Sequence, residues 1–331
     1  MLYIYNMKHL TILVPNGENN LSSIVGAYKI FSRANTHCRD AGKSDIFKIE
    51  LAGLSDEISF YGGLFSARPH KSIDEIEHTD LIIVPSLNHN YQQAIECNGS
   101  MIKWIGQQYQ NGARVASICT GAYLLAAAGI LDGKSCSTHW SAADDLKIRY
   151  PKINVEPDQL ITDELGIYTN GGAYSFLNLI LYLVEKYYDR KTAIFCSKVF
   201  QIELDRNCQS LFMIFNGQRS HHDELIKKAQ LYIESRLDQK LSIEHLAAIF
   251  TVGRRNFDRR FIKATGNTPI EYIQRVKVEA AKKAFETSRK TINEVMYEVG
   301  YSDLKAFREV FRKITGLSPL DYRNRYNKEA S

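Results

Sequence analysis

The sequence predicts two domains of different class. The first is an α/β domain, doubly wound around a mostly parallel, flavodoxin-like sheet. The second is an all-α domain with two helix-turn-helix units. Three observations lead there. Apolar runs of strand length alternate with helical segments over the first two-thirds of the chain. A six-position pattern near the C-terminus recurs at an offset of 50 residues. Positive charge gathers at that same end. From His221 onward there are 22 Lys and Arg against 15 Asp and Glu, while the first 220 residues carry 20 against 22.

In chain order, Leu10–Val14 reads as a buried strand and is followed by a helix from about Leu21 to Thr36. Phe47–Leu51 and Leu81–Pro85 are further strands. A helix runs from about Gln92 to Gln110, then a strand from Ala113 to Ile118. Strands that are apolar throughout imply burial on both faces. Helical segments from Ala173 to Glu203 complete the domain. The apolar stretch Tyr174–Tyr188 reads either as core or as part of a dimer surface. These elements assign residues 1–205 to the first domain. The polar stretch 206–222, with Asn216-Gly217-Gln218-Arg219-Ser220, reads as a linker, and 223–331 form the second domain.

No run of about 18 apolar residues occurs, which excludes a membrane-spanning helix. The first residues lack the basic region of a signal peptide, so a cytoplasmic protein is expected. Six cysteines (Cys38, Cys97, Cys119, Cys136, Cys196 and Cys208) form no C-x-x-C pair and read as reduced thiols. His70, His78 and His89 lack metal-ligand spacing, and His221-His222 lies in the linker region. Neither metal nor cofactor is expected.

The end of the strand Ala113–Ile118 holds the one chemically suggestive constellation of this half. Cys119 stands between a buried strand and a helix, in Ile118-Cys119-Thr120-Gly121-Ala122. A tight turn there would hold the sulfur at a helix N-terminus, whose dipole favours thiolate. The other reading is a small buried residue at a turn. His139, in Ser137-Thr138-His139-Trp140, falls at another strand end.

The repeat is Phe257-x3-Phe261-x3-Thr265-Gly266-x2-Pro269-x2-Tyr272, matched by Phe307-x3-Phe311-x3-Thr315-Gly316-x2-Pro319-x2-Tyr322. Phe at i and i+4 lie on one helix face. Thr-Gly ends that helix, and Pro at the first turn of the next restarts it. A short helix and a turn precede each copy: Leu241–Ala247 with Phe250–Gly253, and Thr291–Met296 with Val299–Ser302. Helix, tight turn, helix with a basic outer face is the pattern that enters a DNA major groove. The outer residues are Arg254, Arg255, Asn256, Arg259 and Arg260 in the first copy. In the second they are Lys305, Arg308, Arg312 and Lys313. A solvated basic face on a helical bundle is the alternative. Arg and Lys can instead neutralise phosphates and read guanine.

Over about 223–326 the chain resembles the AraC/XylS family. The resemblance rests on Ile292, Val295, Val299-Gly300-Tyr301-Ser302-Asp303, Phe307, Phe311-Arg312-Lys313, Gly316, Ser318-Pro319 and Tyr322-Arg323. It implies seven helices in two subdomains joined by a central helix from Pro269 to about Glu286. It also implies recognition helices beginning near Gly253 and Asp303. The first recognition helix departs from the family's Ser-Pro-Arg start, with Gly253-Arg254-Arg255.

Residues 8–205 resemble the ThiJ/PfpI domain of the class I glutamine amidotransferase-like superfamily, as fused in GlxA-type regulators. Ala116–Leu125, Ala128–Gly133, Thr138-His139-Trp140 and Tyr168–Gly172 carry that likeness. Hydrolytic members often have His directly after the Cys, where this chain has Thr120. An acid expected near the start of the first helix is replaced by Ser22 or Ser23.

Together these features predict a transcription regulator that binds double-stranded DNA and responds to a small metabolite. The resemblance points to small nitrogenous effectors such as amino acids or betaines. Cys119, Thr120, Gly121 and His139 are the expected effector-binding residues, as a vestigial nucleophile elbow with no catalytic role. A homodimer and RNA polymerase are the further partners expected. The rivals are a Cys119-dependent hydrolase (an amidase or glyoxalase-like enzyme) and a thiol redox sensor, either one fused to the DNA-binding domain.

Overall fold

Seven strands make the main sheet of the computed structural model, which describes residues 7–88, 90–204, 209–219 and 221–327. They are β1 (Lys8–Val14), β2 (Phe47–Gly53), β3 (Lys71–Ser72), β4 (Leu81–Val84), β5 (Arg114–Ile118), β6 (Ile161–Glu164) and β7 (Ile167–Asn170). Their order across the sheet is β6-β7-β5-β4-β1-β2-β3. Every pairing is parallel except β6 with β7. The order reverses between β1 and β4. Such a switch opens a crevice at the carboxyl ends of the strands.

Side chains alternate between two cores. Leu10, Ile12 and Val14 of β1, Leu81 and Ile83 of β4, and Ala116 and Ile118 of β5 lie on one face. There they meet α1 (Leu21–Asp40) and α6 (Phe176–Tyr187). Leu13, Ile82, Val84 and Val115 face the other way, onto α3 (Gly99–Gln110) and α4 (Ala122–Ala127). Burial on both faces is what makes these strands largely apolar. The stretch Tyr174–Tyr188 is core over α6, with Leu179, Ile180, Leu183 and Val184 fully buried.

Two details differ from expectation. The helix expected over Gln92–Gln110 is two helices, α2 (Tyr91–Cys97) and α3, broken at Asn98. The Asn98 side chain donates to Asn16 O (2.9 Å) and Ala94 O (2.8 Å) and accepts from Asn16 N–H. This fully buried amide ties the break to the loop after β1. A hairpin, Ile58–Phe60 with Phe65–Ala67, also went unread. The domain is completed by α5 (Ala143–Arg149) and α7 (Arg190–Phe200).

The chain divides into two compact units, the second starting at Ser210. This unit is helical: α8 (Glu224–Glu234), α9 (Ile243–Ile249), α10 (Arg254–Thr265), α11 (Pro269–Thr287), α12 (Ile292–Glu298), α13 (Leu304–Thr315) and α14 (Pro319–Tyr326). Its boundaries follow from caps. Ser242, Thr268, Thr291, Asp303 and Ser318 each accept from a backbone N–H of the helix they precede. Gly266 (φ 70°) and Gly316 (φ 81°) end α10 and α13 in the left-handed region. The turn after each is the same to the atom. Thr265 Oγ1 donates to Phe261 O at 2.8 Å and accepts from Asn267 N–H at 3.2 Å. Thr315 Oγ1 repeats both distances with Phe311 and Leu317.

Residues 210–219 of the expected linker lie along this unit as a strap. Leu211 packs on the core of the second copy and Phe215 on that of the first. Phe215 meets the Tyr272 ring edge-on at 5.3 Å. Lys282 Nζ donates to Met213 O at 2.5 Å, and Phe215 N–H donates to Glu279 Oε2 at 3.2 Å. Polarity and Gly217 suggested a free linker, but two apolar anchors suffice to seat it. His89, Cys208, Ser220 and the rest of 205–208 lie outside the described residues.

Candidate functional site

The Cys119 turn sits at the carboxyl ends of β4 and β5, beside the switch point. Cys119 has φ 54°, a left-handed backbone that few non-glycine residues adopt. Two residues on, Gly121 runs so close to the end of β4 that a Cβ would lie 2.6 Å from Pro85 O and 2.9 Å from Val84 O. The sharp elbow therefore requires glycine there. Thr120 locks it: Oγ1 donates to Leu87 O (2.6 Å), accepts from Leu87 N–H (3.0 Å) and lies 3.0 Å from Ser86 Oγ. Thr138 Oγ1 donates to Cys119 O at 3.0 Å, holding the turn from the other side.

The thiol is buried, 4% exposed. Burial pushes its pKa up, against hydrogen bonds from the Ser86 side chain, from Thr120 and from the His139 backbone. Burial thus works against the thiolate that a helix N-terminus favours. His139 lies beside the turn, but its Nδ1 accepts from Ser141 N–H (3.2 Å) and lies 2.7 Å from Ser141 Oγ. That ring nitrogen caps the single turn Trp140–Ala142. Of Ser22 and Ser23, which stand where an acid was anticipated near the start of α1, Ser23 faces the turn after β4. Its hydroxyl donates to Asn20 O (2.7 Å) and accepts from Ser86 N–H (3.2 Å). Ser22 N–H is bound by the Asn20 cap.

Sequence reasoning named Ser23 and Thr120 but missed Ser86, which joins them in one polar cluster at the turn, and Thr138, which holds the Cys119 carbonyl. The strand-end position of Pro85-Ser86 was the available signal. It also missed Tyr91, stacked on Tyr123 at 4.1 Å. Burial, and Cys119 after it, push the Tyr91 phenol up. Tyr123 OH donates to Asp145 Oδ2 at 2.6 Å.

On the helical unit, α10 and α13 are the second helices of the two helix-turn-helix copies. Arg255, Asn256, Arg259, Lys305, Arg308, Arg312 and Lys313 are all exposed. Arg259 Nη2 donates to Asn256 Oδ1 at 3.2 Å. Two arginines of the first copy are engaged elsewhere. Arg254 pairs with Glu244 and, at 3.6 Å, with Asp258. Arg260 grips Asp223, the cap of α8, with a bidentate pair at 2.8 and 2.6 Å. That pair holds the Asp223 carboxyl below the usual range.

A doubly wound domain with a left-handed cysteine at its strand–helix elbow, in one chain with a duplicated helix-turn-helix unit, defines a two-domain class. The chain belongs to the DJ-1/PfpI family, whose model matches residues 11–186, and it carries an AraC-type helix-turn-helix domain, matched over 246–325. It is 24% identical over 223 residues to the HTH-type transcriptional regulator GbdR of Pseudomonas aeruginosa, covering 67% of this chain and 60% of that protein. It is 25% identical over 219 residues to the HTH-type transcriptional regulator GlxA of Rhizobium meliloti, covering 65% and 66%. The chain thus spans under two-thirds of the length of these relatives. A ThiJ/PfpI family protein from Pseudomonas syringae shares the fold, with a TM-score of 0.51 at 19% identity, over 61% of this chain and 77% of that one. Among the described residues no helix is long and apolar enough to cross a membrane.

Proposed function

We propose that the protein is a cytoplasmic transcription regulator that binds duplex DNA through both helix-turn-helix copies and answers to a small molecule at the Cys119 turn. One observation carries the reading. Two copies of a single scaffold, 50 residues apart in sequence, each expose basic side chains on the helix that such scaffolds insert into a major groove. Arg255, Asn256, Arg259, Lys305 and Arg308 are the base-reading candidates. Arg312 and Lys313 are placed for phosphate, and Arg254 takes part once DNA draws it from its acids. Fluorescence anisotropy with duplex DNA over a salt series tests this. Each phosphate neutralised contributes about −0.9 to the slope of log affinity on log salt. A full-length protein with no salt-dependent duplex affinity sinks the reading.

For the first unit, Cys119, Thr120, Gly121 and His139 line the effector site of this reading, in keeping with the strand-end rule. An effector regulates by binding two states unequally. Catalysis is not part of the proposal. A nucleophile needs a base within reach and a partner to orient it. Here burial raises the thiol's pKa, His139 Nδ1 is engaged by Ser141, and Ser22 or Ser23 stands where an acid was expected. Cys119→Ala should retain DNA binding, and no Cys119-dependent hydrolysis of small amides or glyoxals should be measurable. Turnover lost in that variant would restore the hydrolase. A second copy of the chain and RNA polymerase are its further partners.

A further inference from the structure

One lysine is buried in the middle of the helix that joins the two helix-turn-helix copies. Lys277, on α11, is 5% exposed. Its ammonium donates to Gln239 O at 3.0 Å and to Gly300 O at 3.3 Å, and it lies 5.4 Å from the centre of the Tyr301 ring. Those carbonyls belong to different copies. Gln239 is in the loop between α8 and α9 that leads into the first copy, and Gly300 is in the turn between α12 and α13 of the second.

The two backbones also touch. Gly300 has φ 71°, and a Cβ on it would lie 2.6 Å from Leu237 O, 2.7 Å from the Asp238 carbonyl carbon and 2.6 Å from Lys277 Nζ. The turn of one copy is therefore seated on the loop of the other, with a cation between two carbonyls at the seam. Burying an ammonium is costly unless partners surround it. A methionine would fill the same volume without joining anything. The charge of Lys277 draws both carbonyls to one point, which fixes the turn before α13 relative to the loop before α9.

We infer that Lys277, with Gly300, is a positioning residue for DNA recognition: it sets the separation and angle of α10 and α13, and so the spacing of the two DNA segments the chain accepts. This inference rests on the DNA-binding reading above. Neither residue needs to touch DNA.

The experiment is enrichment of a randomised duplex library on full-length wild type, Lys277→Met and Gly300→Ala, each first checked for a cooperative thermal transition. Wild type should select two short segments at one spacing. Both variants should select the same segments with the spacing spread over several base pairs. On a duplex with both segments at the wild-type spacing, each variant should bind about tenfold more weakly, because the second contact is no longer pre-aligned. On a duplex with one segment they should match wild type. A merely stabilising role would lower the folded fraction and leave the spacing unchanged. A folded variant of either kind that keeps the wild-type spacing overturns the inference, and Gly300→Ala decides it if Lys277→Met does not fold. If wild type enriches no duplex, the DNA-binding reading falls and this inference falls with it.

Discussion

In the first helix-turn-helix copy the rings of Phe257 and Phe261 lie 5.6 Å apart, and those of Phe261 and Tyr272 lie 5.3 Å apart. Fifty residues on, Phe307, Phe311 and Tyr322 repeat the spine at 5.8 and 5.5 Å. In each copy a glutamate closes the spine: Tyr272 OH donates to Glu234 and Tyr322 OH to Glu286. The exposed faces do not repeat. Asp258 becomes Arg308, Arg259 becomes Glu309, and Ile262 becomes Arg312. The cap of α10 is Gly253, with no side-chain bond, while Asp303 binds two N–H groups of α13. After duplication, then, the buried positions stayed under the common demand of folding. The outer ones differ, which on the proposed function would let the two copies read different DNA segments.

The comparison can be broken at the spine first. Phe261→Ala and Phe311→Ala should each cost about 3–5 kcal/mol in urea unfolding, since each removes a fully buried ring. A clear inequality between them would mean that the copies are not energetic equivalents. The faces come next. Lys305→Ala and Arg255→Ala should each lose about 1–3 kcal/mol of binding to the preferred sequence and relax specificity there. Arg312→Ala should weaken all sequences evenly and reduce the salt slope by about 1. Arg254→Ala, already paired with Glu244, should do less than any of these in the same titration. A larger loss from Arg254 would reverse the assignment of that residue to its own fold.

Smaller effects sharpen the contrast. Asp303→Ala should cost about 1 kcal/mol of stability, whereas Gly253→Ser should gain a few tenths. The Arg260–Asp223 pair has no counterpart in the second helix-turn-helix copy, where position 310 is valine. Asp223 is depressed in the folded state, so its contribution is present above the ordinary Asp range and disappears as pH falls through the lowered value. Amide exchange followed from neutral to acid pH should show α8 loosening before α14. Asp223→Asn should remove that difference.

The helical unit was largely legible because its signals are local: i,i+4 aromatics, Thr-Gly stops and Ser/Thr-Pro starts all lie within a few residues. The sheet was half legible. Its central strands are largely apolar, but the hairpin at 58–67 and the edge strand β6 are short and partly polar, so no periodicity marks them. At the candidate site Cys119 and Gly121 stood out through the elbow. Ser86, 33 positions earlier, did not, because only the parallel pairing of β4 with β5 brings it to the sulfur. Arg254 and Arg260 read as outer-face charge on a helix, and nothing in the sequence marked Lys277. Their commitments are to residues distant in sequence or to backbone carbonyls, which composition does not display.

The strap from Ser210 to Arg219 has a consequence for how the molecule can be taken apart. Asp223 begins the first regular helix and would be the natural place for a scissile site. A protease acting there would strip Leu211 and Phe215 from both aromatic spines, and would remove the two backbone groups that Glu279 and Lys282 bind. The helical unit is whole only from Ser210. As a cassette for fusion to another sensor, or as a product of limited digestion, it should travel with those apolar anchors at its head.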